Sequence, residues 1–166
     1  MYLQIRPARN DEFGRLLEIW RAAVEASHDF LTPSEIDWYE HIVARYLPQM
    51  RDLRVAVNTT RDVVGFVAQD DGKVHMLFVD PHAQGRGVGT ALLEDVATQF
   101  AELHLDVNEQ NPSARAFYKA RGFEELSRTE LDGEGRPFPL MHLRRSSKGS
   151  PNDADIDKPR DHISSD

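Results

Sequence analysis

The run Phe78-Val79-Asp80-Pro81-His82-Ala83-Gln84-Gly85-Arg86-Gly87-Val88-Gly89-Thr90-Ala91-Leu92 constrains this chain more than any other. An apolar strand breaks at a proline, crosses a loop with three glycines in five positions, and enters a helix. The first amides of a helix have no partner within it and add to the positive end of the helix dipole, so such a turn suits an anion. Glycines at 85, 87 and 89 remove the side chains that would keep a diphosphate away from the backbone, and they allow a positive φ where one is needed. An ordinary strand-to-helix turn is the alternative.

Three phosphate-binding patterns can be compared with this loop. A Walker loop requires a lysine after its last glycine, and none follows here. The dinucleotide fingerprint G-x-G-x-x-G fits Gly85 and Gly87, but its third place falls on Thr90, and the loop lies mid-chain instead of after a first strand. The third pattern is Gln84-x-x-Gly87-x-Gly89 following a strand that ends Phe78-Val79-Asp80-Pro81.

Taken in order, the chain predicts a strand over Tyr2 to Arg6 stopped by Pro7, then a helix capped by Asn10 with Phe13, Leu16, Leu17, Trp20 and Val24 inward. Thr32-Pro33-Ser34-Glu35 reads as a capping box opening a second helix, with Ile36, Tyr39, Val43 and Leu47 inward. Strand periodicity then covers Leu53 to Val57, Val63 to Ala68 and Val74 to Val79, the last two joined by an Asp71-Gly72 hairpin. The helix after the loop keeps Val88, Leu92, Val96 and Phe100 on one face. A strand follows over Leu103 to Val107, then a helix capped by Asn111 with Pro112 at its first position and Gly122 at its end. Strands over Phe123 to Glu130 and Phe138 to Leu143 flank the turn at Asp132-Gly133-Glu134-Gly135.

This order resembles the GNAT acyltransferase superfamily, whose acetyl-CoA loop is written Gln/Arg-x-x-Gly-x-Gly/Ala and lies between the fourth strand and third helix. A second stretch, Leu105-Asp106-Val107-Asn108-x-x-Asn111-x-x-Ala114-x-x-Phe117-Tyr118-x-x-x-Gly122-Phe123, is similar to the family's fifth strand and fourth helix. A narrower resemblance to one group of bacterial acetyltransferases within the family is carried by residues 28–31, 108–111, 117–119 and 132–140. The implied fold is α/β, a mixed twisted sheet of about seven strands flanked by four helices, in the order β-α-α-β-β-β-α-β-α-β-β. One domain is expected over residues 1–145 and a disordered acidic tail over 146–166.

The implied activity is N-acetyl transfer from acetyl-CoA to a primary amine by direct attack, the acceptor being a small molecule or a protein lysine or N-terminal amine. The alternative is a catalytically silent acyl-CoA-binding or sensor module. In the implied site the pantetheine arm bonds to the backbone of Leu77, Phe78 and Val79. The diphosphate lies on amides of Gln84, Gly85, Arg86, Gly87, Val88, Gly89 and Thr90, with Asn111, Ala114, Phe117 and Tyr118 also at the cofactor. Tyr118 is the candidate acid beside the sulfur, since a phenol is a suitable donor to a departing thiolate. The base is Asp106 or His75; strand alternation puts His104, Asp106 and Asn108 on one face. His28, Asp29 and Phe30 are the substrate-side candidates.

Composition sets the remaining bounds. The 166 residues are long enough for a core around a sheet. A formal charge of −8 argues against a nucleic-acid or anionic-membrane binder and is compatible with a cationic acceptor such as a basic peptide. There is no cysteine, which removes disulfides, thiolate zinc sites and cysteine nucleophiles. The histidines lack ligand spacing, so no metal is expected. No apolar stretch reads as a signal peptide or membrane span. The expectation is a cytoplasmic protein, monomeric or homodimeric.

Overall fold

The structure, a computed structural model, describes residues 2–146. Seven strands and four α-helices follow one another in the expected order, an α/β fold. They are β1 (Gln4–Pro7), α1 (Phe13–Ser27), α2 (Pro33–Tyr46), β2 (Asp52–Val57), β3 (Val63–Asp70), β4 (Lys73–Val79), α3 (Val88–Ala97), β5 (Glu102–Asn108), α4 (Pro112–Ala120), β6 (Glu124–Thr129) and β7 (Leu140–Ser146). The chain divides into two compact units, Met1–Thr98 and Gln99–Asp166. Of the tail expected from residue 146 onward, Ser146 is the last residue of β7 and the rest lies outside the described residues.

In the first unit β1, β2, β3 and β4 pair in sequence, each antiparallel to the next. The predicted hairpin between β3 and β4 is present. Asp71 and Gly72 take φ of 52° and 86°, the two positive values that a tight two-residue connection needs. The core beneath this sheet is built by Leu16, Ile19, Trp20 and Val24 of α1 with Ile36 of α2 and the inward residues of β2 and β3. Each such side chain contributes about 1.5–3 kcal/mol of burial. The capping box of α2 forms as expected: the Glu35 amide donates to Thr32 Oγ1 (3.2 Å) and the Thr32 amide donates to the Glu35 carboxylate (2.8 Å).

Local expectations fail where distant partners intervene. Pro7 does not stop β1 but sits within it, opposite Arg54. The ladder is taken up by Ala8, whose amide donates to the Leu53 carbonyl (2.8 Å). Asn10 does not cap α1. The chain turns a residue earlier, at Arg9, because the Glu12 carboxylate accepts from the Arg9 amide (2.8 Å) and from both terminal nitrogens of Arg6 (2.6 and 3.0 Å). Phe100 lies beyond the end of α3 and so does not share its buried face, which is completed by Leu93.

In the second unit β7 pairs antiparallel with both β5 and β6. Leu103, Leu105 and Val107 of β5 are buried, while His104, Asp106 and Asn108 occupy the opposite face. α4 opens as expected, with the Ala114 amide donating to Asn111 Oδ1 (3.2 Å) and Pro112 in the first turn. β7 begins at Leu140 and not at Phe138. Pro139 has no amide to give a ladder, and its carbonyl accepts from the Glu109 amide instead (2.9 Å). Phe123 lies outside β6. Its amide donates to the Tyr118 carbonyl (3.1 Å), closing α4 after Gly122 at φ 94°.

Candidate functional site

The glycine-rich loop leaves β4 at Asp80, whose amide donates to the Val64 carbonyl (2.8 Å). Asp80 Oδ1 accepts from the His82 amide (3.0 Å), and Oδ2 accepts from Arg15 Nη2 (2.7 Å); Arg15 Nε also donates to the Val63 carbonyl (3.0 Å). Burial alone would raise the Asp80 carboxyl. The bonds from His82 and Arg15 outweigh it and hold the group below its ordinary range. The entry of the loop is thus tied to α1, a connection between residues 65 positions apart that no local pattern announces.

Beyond this anchor, Gln84, Gly85, Arg86 and Gly87 are exposed. Gly85 and Gly87 have φ of 78° and 83°, and a Cβ added to either meets nothing within 4 Å. Glycine is therefore required at these two positions by backbone conformation, with open space beside it. Gly89 is helical. Gly87 takes the N-cap place of α3 with no side-chain cap, and the first amide bonded back within the helix is that of Ala91, to the Gly87 carbonyl (2.9 Å). Helical geometry gives the amides of Val88 and Gly89 no acceptor inside α3, and with the Arg86 guanidinium nearby in sequence such donors suit a diphosphate.

A glycine that sequence reasoning missed sets where α3 lies. A Cβ on Gly65 of β3 would stand 2.9 Å from Val88 Cγ1, 3.1 Å from Leu92 Cδ1 and 3.1 Å from the Phe78 carbonyl oxygen. The missing side chain lets the first turn of α3 press directly on the sheet. The signal was a lone glycine inside an apolar strand, a recurrent mark of close backbone approach.

Leu77, Phe78 and Val79, the last residues of β4, are half-buried and pair with Val67, Phe66 and Gly65. His75 is exposed near the other end of the strand. The register steps from Ala68 opposite Met76 to Gln69 opposite Val74, leaving His75 as the extra residue of a bulge. His28, Asp29 and Phe30 follow α1. His28 ends the helix, with its Nδ1 2.8 Å from Ser27 Oγ and its ring 5.2 Å from that of Phe30. Burial lowers its pKa, and the neighbouring Asp29 charge opposes this only in part, so the imidazole is held neutral.

In the second unit, Asn111 is buried and spends its side-chain oxygen on the α4 cap. Ala114 and Phe117 are half-buried on α4. The buried Tyr118 ring meets Phe117 edge-on at 5.1 Å and Phe123 at 5.4 Å. The Arg121 guanidinium lies 3.8 Å from the centre of the Phe117 ring. Burial pushes the Tyr118 phenol well above its ordinary value, so it keeps its proton at any physiological pH. It can therefore donate a hydrogen bond and cannot serve as a resting base.

Asp106, on the face of β5 away from its buried leucines, has a partner that sequence reasoning did not single out. His142 of β7 stands directly opposite, with its Nδ1 2.6 Å from Asp106 Oδ1. His104 is on the same face and lies 3.6 Å from Glu102. Among the described residues no group of three or more His, Cys, Asp or Glu side chains is placed to hold a metal ion, and no helix is long and apolar enough to cross a membrane.

Fold and loop together define an α/β protein with a glycine-rich strand-to-helix turn after β4. A family model described as an acetyltransferase (GNAT) domain matches residues 24–145. The peptidyl-lysine N-acetyltransferase YjaB of Escherichia coli strain K12 is 40% identical over 143 residues, covering 86% of this chain and 97% of that protein. YjaB of Salmonella typhimurium, also named a peptidyl-lysine N-acetyltransferase, is 39% identical over 143 residues, covering 86% and 98%. The solution structure of apo-form YjaB from Escherichia coli matches with a TM-score of 0.81 at 40% identity, covering 87% of this chain and 97% of that one. The chain belongs to the GNAT acetyltransferase family and is an N-acetyltransferase.

Proposed function

We propose that this enzyme transfers the acetyl group of acetyl-CoA to the side-chain amine of protein lysines. The observation that carries the choice of acceptor is the 40% identity, over 97% of its length, to a relative named for peptidyl-lysine acetylation. The chain's formal charge of −8 supports a cationic acceptor. Its reaction is proposed to take place in the cytoplasm, where acetyl-CoA and lysine-bearing proteins meet.

In this reading the amides between Gln84 and Thr90 hold the diphosphate, aided by Arg86. The open space beside Gly85 and Gly87 supports that assignment. The backbone of Leu77, Phe78 and Val79 receives the pantetheine arm, and Asn111, Ala114 and Phe117 bear on the cofactor from α4. Backbone donors aimed at the thioester oxygen lower the barrier by a few kcal/mol.

A lysine amine, with a pKa near 10.4, must lose a proton before it attacks. The free amine then forms the C–N bond, and collapse of the tetrahedral carbon breaks the C–S bond. Tyr118 steadies the departing sulfur. A thiol with a pKa of about 8.5 is a stronger acid than this buried phenol, so Tyr118 acts chiefly by hydrogen bonding to the developing thiolate and less by surrendering its proton outright. Asp106 marks the side that takes up the amine's proton, and His28, Asp29 and Phe30 approach the acceptor.

The test is CoA release measured over a panel of lysine peptides, N-terminal peptides and polyamines, with mass spectrometry locating the acetyl group. Release with lysine peptides, and a mass gain on the lysine, is the expected result. Polyamines as the preferred acceptors would overturn the choice of acceptor. Acetyl-CoA binding without release on the whole panel would instead favour a silent acyl-CoA sensor.

A further inference from the structure

We infer that Asp106, His142 and Thr129 form a proton relay that removes the proton lost by the acceptor amine, with His142 as its base. This rests on the acetyl-transfer reading above, and no single residue of that reading supplies it.

The three side chains come from three strands and meet on one face of the β5-β7-β6 sheet. His142 is opposite Asp106 on one side and Ser127 on the other, and Thr129 is opposite Leu140. Asp106 Oδ1 lies 2.6 Å from His142 Nδ1, and His142 Nε2 lies 3.1 Å from Thr129 Oγ1. Thr129 Oγ1 is also 3.2 Å from the Leu131 carbonyl oxygen, to which it donates.

Donor bookkeeping makes this arrangement bistable. An ionised carboxylate only accepts, so Nδ1 carries a hydrogen in either state. The Thr129 hydroxyl has one hydrogen and two acceptors within reach. Aimed at Nε2, it serves a neutral imidazole. Aimed at the Leu131 carbonyl, it leaves its oxygen to accept from an Nε2–H, which serves an imidazolium paired with Asp106. One hydroxyl rotation therefore lets the same residues hydrogen-bond both nitrogens of His142 before and after protonation. Both nitrogens of His142 are served in either state, and the carbonyl of the exposed Leu131, released when the hydroxyl turns to Nε2, is left to water.

In the step proposed, an N–H bond of the acceptor ammonium breaks and its proton passes to Thr129 Oγ1, as the original hydroxyl proton moves to His142 Nε2. The new hydroxyl turns to Leu131, and the nitrogen keeps the electron pair with which it attacks the thioester carbon. The proton later leaves His142 to solvent. Asp106 never becomes the final acceptor; it fixes the ring and stabilises its charge.

Other charged groups share this face. Arg144, two residues along β7, pairs with Glu124 (3.0 Å) and Glu102 (3.7 Å), and His104 stands opposite Arg144 on β5. Arg144 is thus shared between two carboxylates, and Asp106 is the carboxylate bonded to the His142 ring.

The test combines kinetics with nitrogen NMR of the histidine rings in the full chain. His142→Gln should lower kcat by about 100-fold, within the range of general base catalysis, and flatten the acid limb of the rate profile. Acetyl-CoA affinity by calorimetry should stay unchanged. Thr129→Val should lower kcat in the same direction, and Thr129→Ser should restore it. The neutral His142 ring should carry its proton on Nδ1, where Asp106 accepts it, and Asp106→Asn should weaken that preference. If the wild type acetylates lysine peptides but His142→Gln and Thr129→Val keep its kcat and acid limb, the relay is overturned and the acetyl-transfer reading stands. If the wild type transfers no acetyl group, that reading fails, and the relay's role in removing an amine proton fails with it. A neutral ring protonated on Nε2 overturns the relay whatever the turnover.

Discussion

Arg15 Nη2 donates to Asp80 Oδ2 at 2.7 Å, joining α1 to the first residue of the glycine-rich loop. Because Arg15 also holds the Val63 carbonyl, the pair fixes the height at which the chain leaves β4. Arg15→Met should cost about 1 kcal/mol of stability, a charge-assisted bond discounted for the exposure of the arginine. It should also weaken acetyl-CoA binding several-fold without altering the acceptor KM. Calorimetry and thermal melts check both, and an unchanged cofactor affinity would detach the anchor from function.

The same pair predicts an acid limit. The Asp80 carboxyl is held below its ordinary value in the folded chain, so the unfolded chain binds the proton more readily. The stability it contributes is fully present above about pH 4 and is lost as pH falls through the depressed pKa. Glu12, held down mainly by Arg6, acts in the same direction. Denaturant titrations between pH 6 and 2 should show stability falling at the acid end, and Asp80→Asn should reduce the slope. A slope unaffected by that substitution would remove Asp80 from the account.

Gly65→Ala should destabilise the chain although it adds only one methyl group. The new Cβ meets Val88 at 2.9 Å and the Phe78 carbonyl at 3.1 Å, and neither a β-branched side chain in a helix nor a strand carbonyl yields easily. Overpacking of this kind costs about 1–3 kcal/mol. The first turn of α3 should shift with it, visible as altered amide resonances at Val88, Gly89 and Thr90. An unchanged melting temperature would mean that α3 accommodates the methyl freely.

Tyr118→Phe keeps the ring that packs on Phe117 and Phe123 and removes only the hydroxyl. Turnover should fall by about 10- to 100-fold, the loss of one transition-state hydrogen bond, while acetyl-CoA affinity and melting temperature change little. Because the phenol stays protonated, the alkaline side of the rate profile should not move. Full turnover in the variant would exclude Tyr118 from the chemistry.

His28 predicts a second, milder pH dependence. Burial holds its pKa below the ordinary value near 6.5, so the stability it contributes is present above that pH and is lost as pH falls toward the depressed value. His28→Gln should flatten the decline in denaturant midpoint below pH 6.5. An identical decline in both proteins would assign that slope to other groups.

Much of the architecture was legible because its determinants are local. The Thr32 to Glu35 capping box, the Asp71-Gly72 hairpin, the Asn111 cap and the left-handed Gly85 and Gly87 each depend on residues within four positions of one another, and each forms as read. The misplaced boundaries have separate causes. Asn10 lost its cap to an ion pair between Glu12 and Arg6, and Phe138 lost its strand place to the missing amide of Pro139.

From the amino-acid order alone followed the succession of strands and helices, the left-handed glycines of the loop after β4 and the enzyme family, since periodicity, capping and glycine conformation act along the chain. Only the tertiary structure decided that Gly65 lets α3 meet β3, that Arg15 holds Asp80, and that His142 faces Asp106 from 36 residues away. These depend on strand register and on how closely a helix approaches a sheet. Both are settled by packing among distant residues, which no short window of sequence contains.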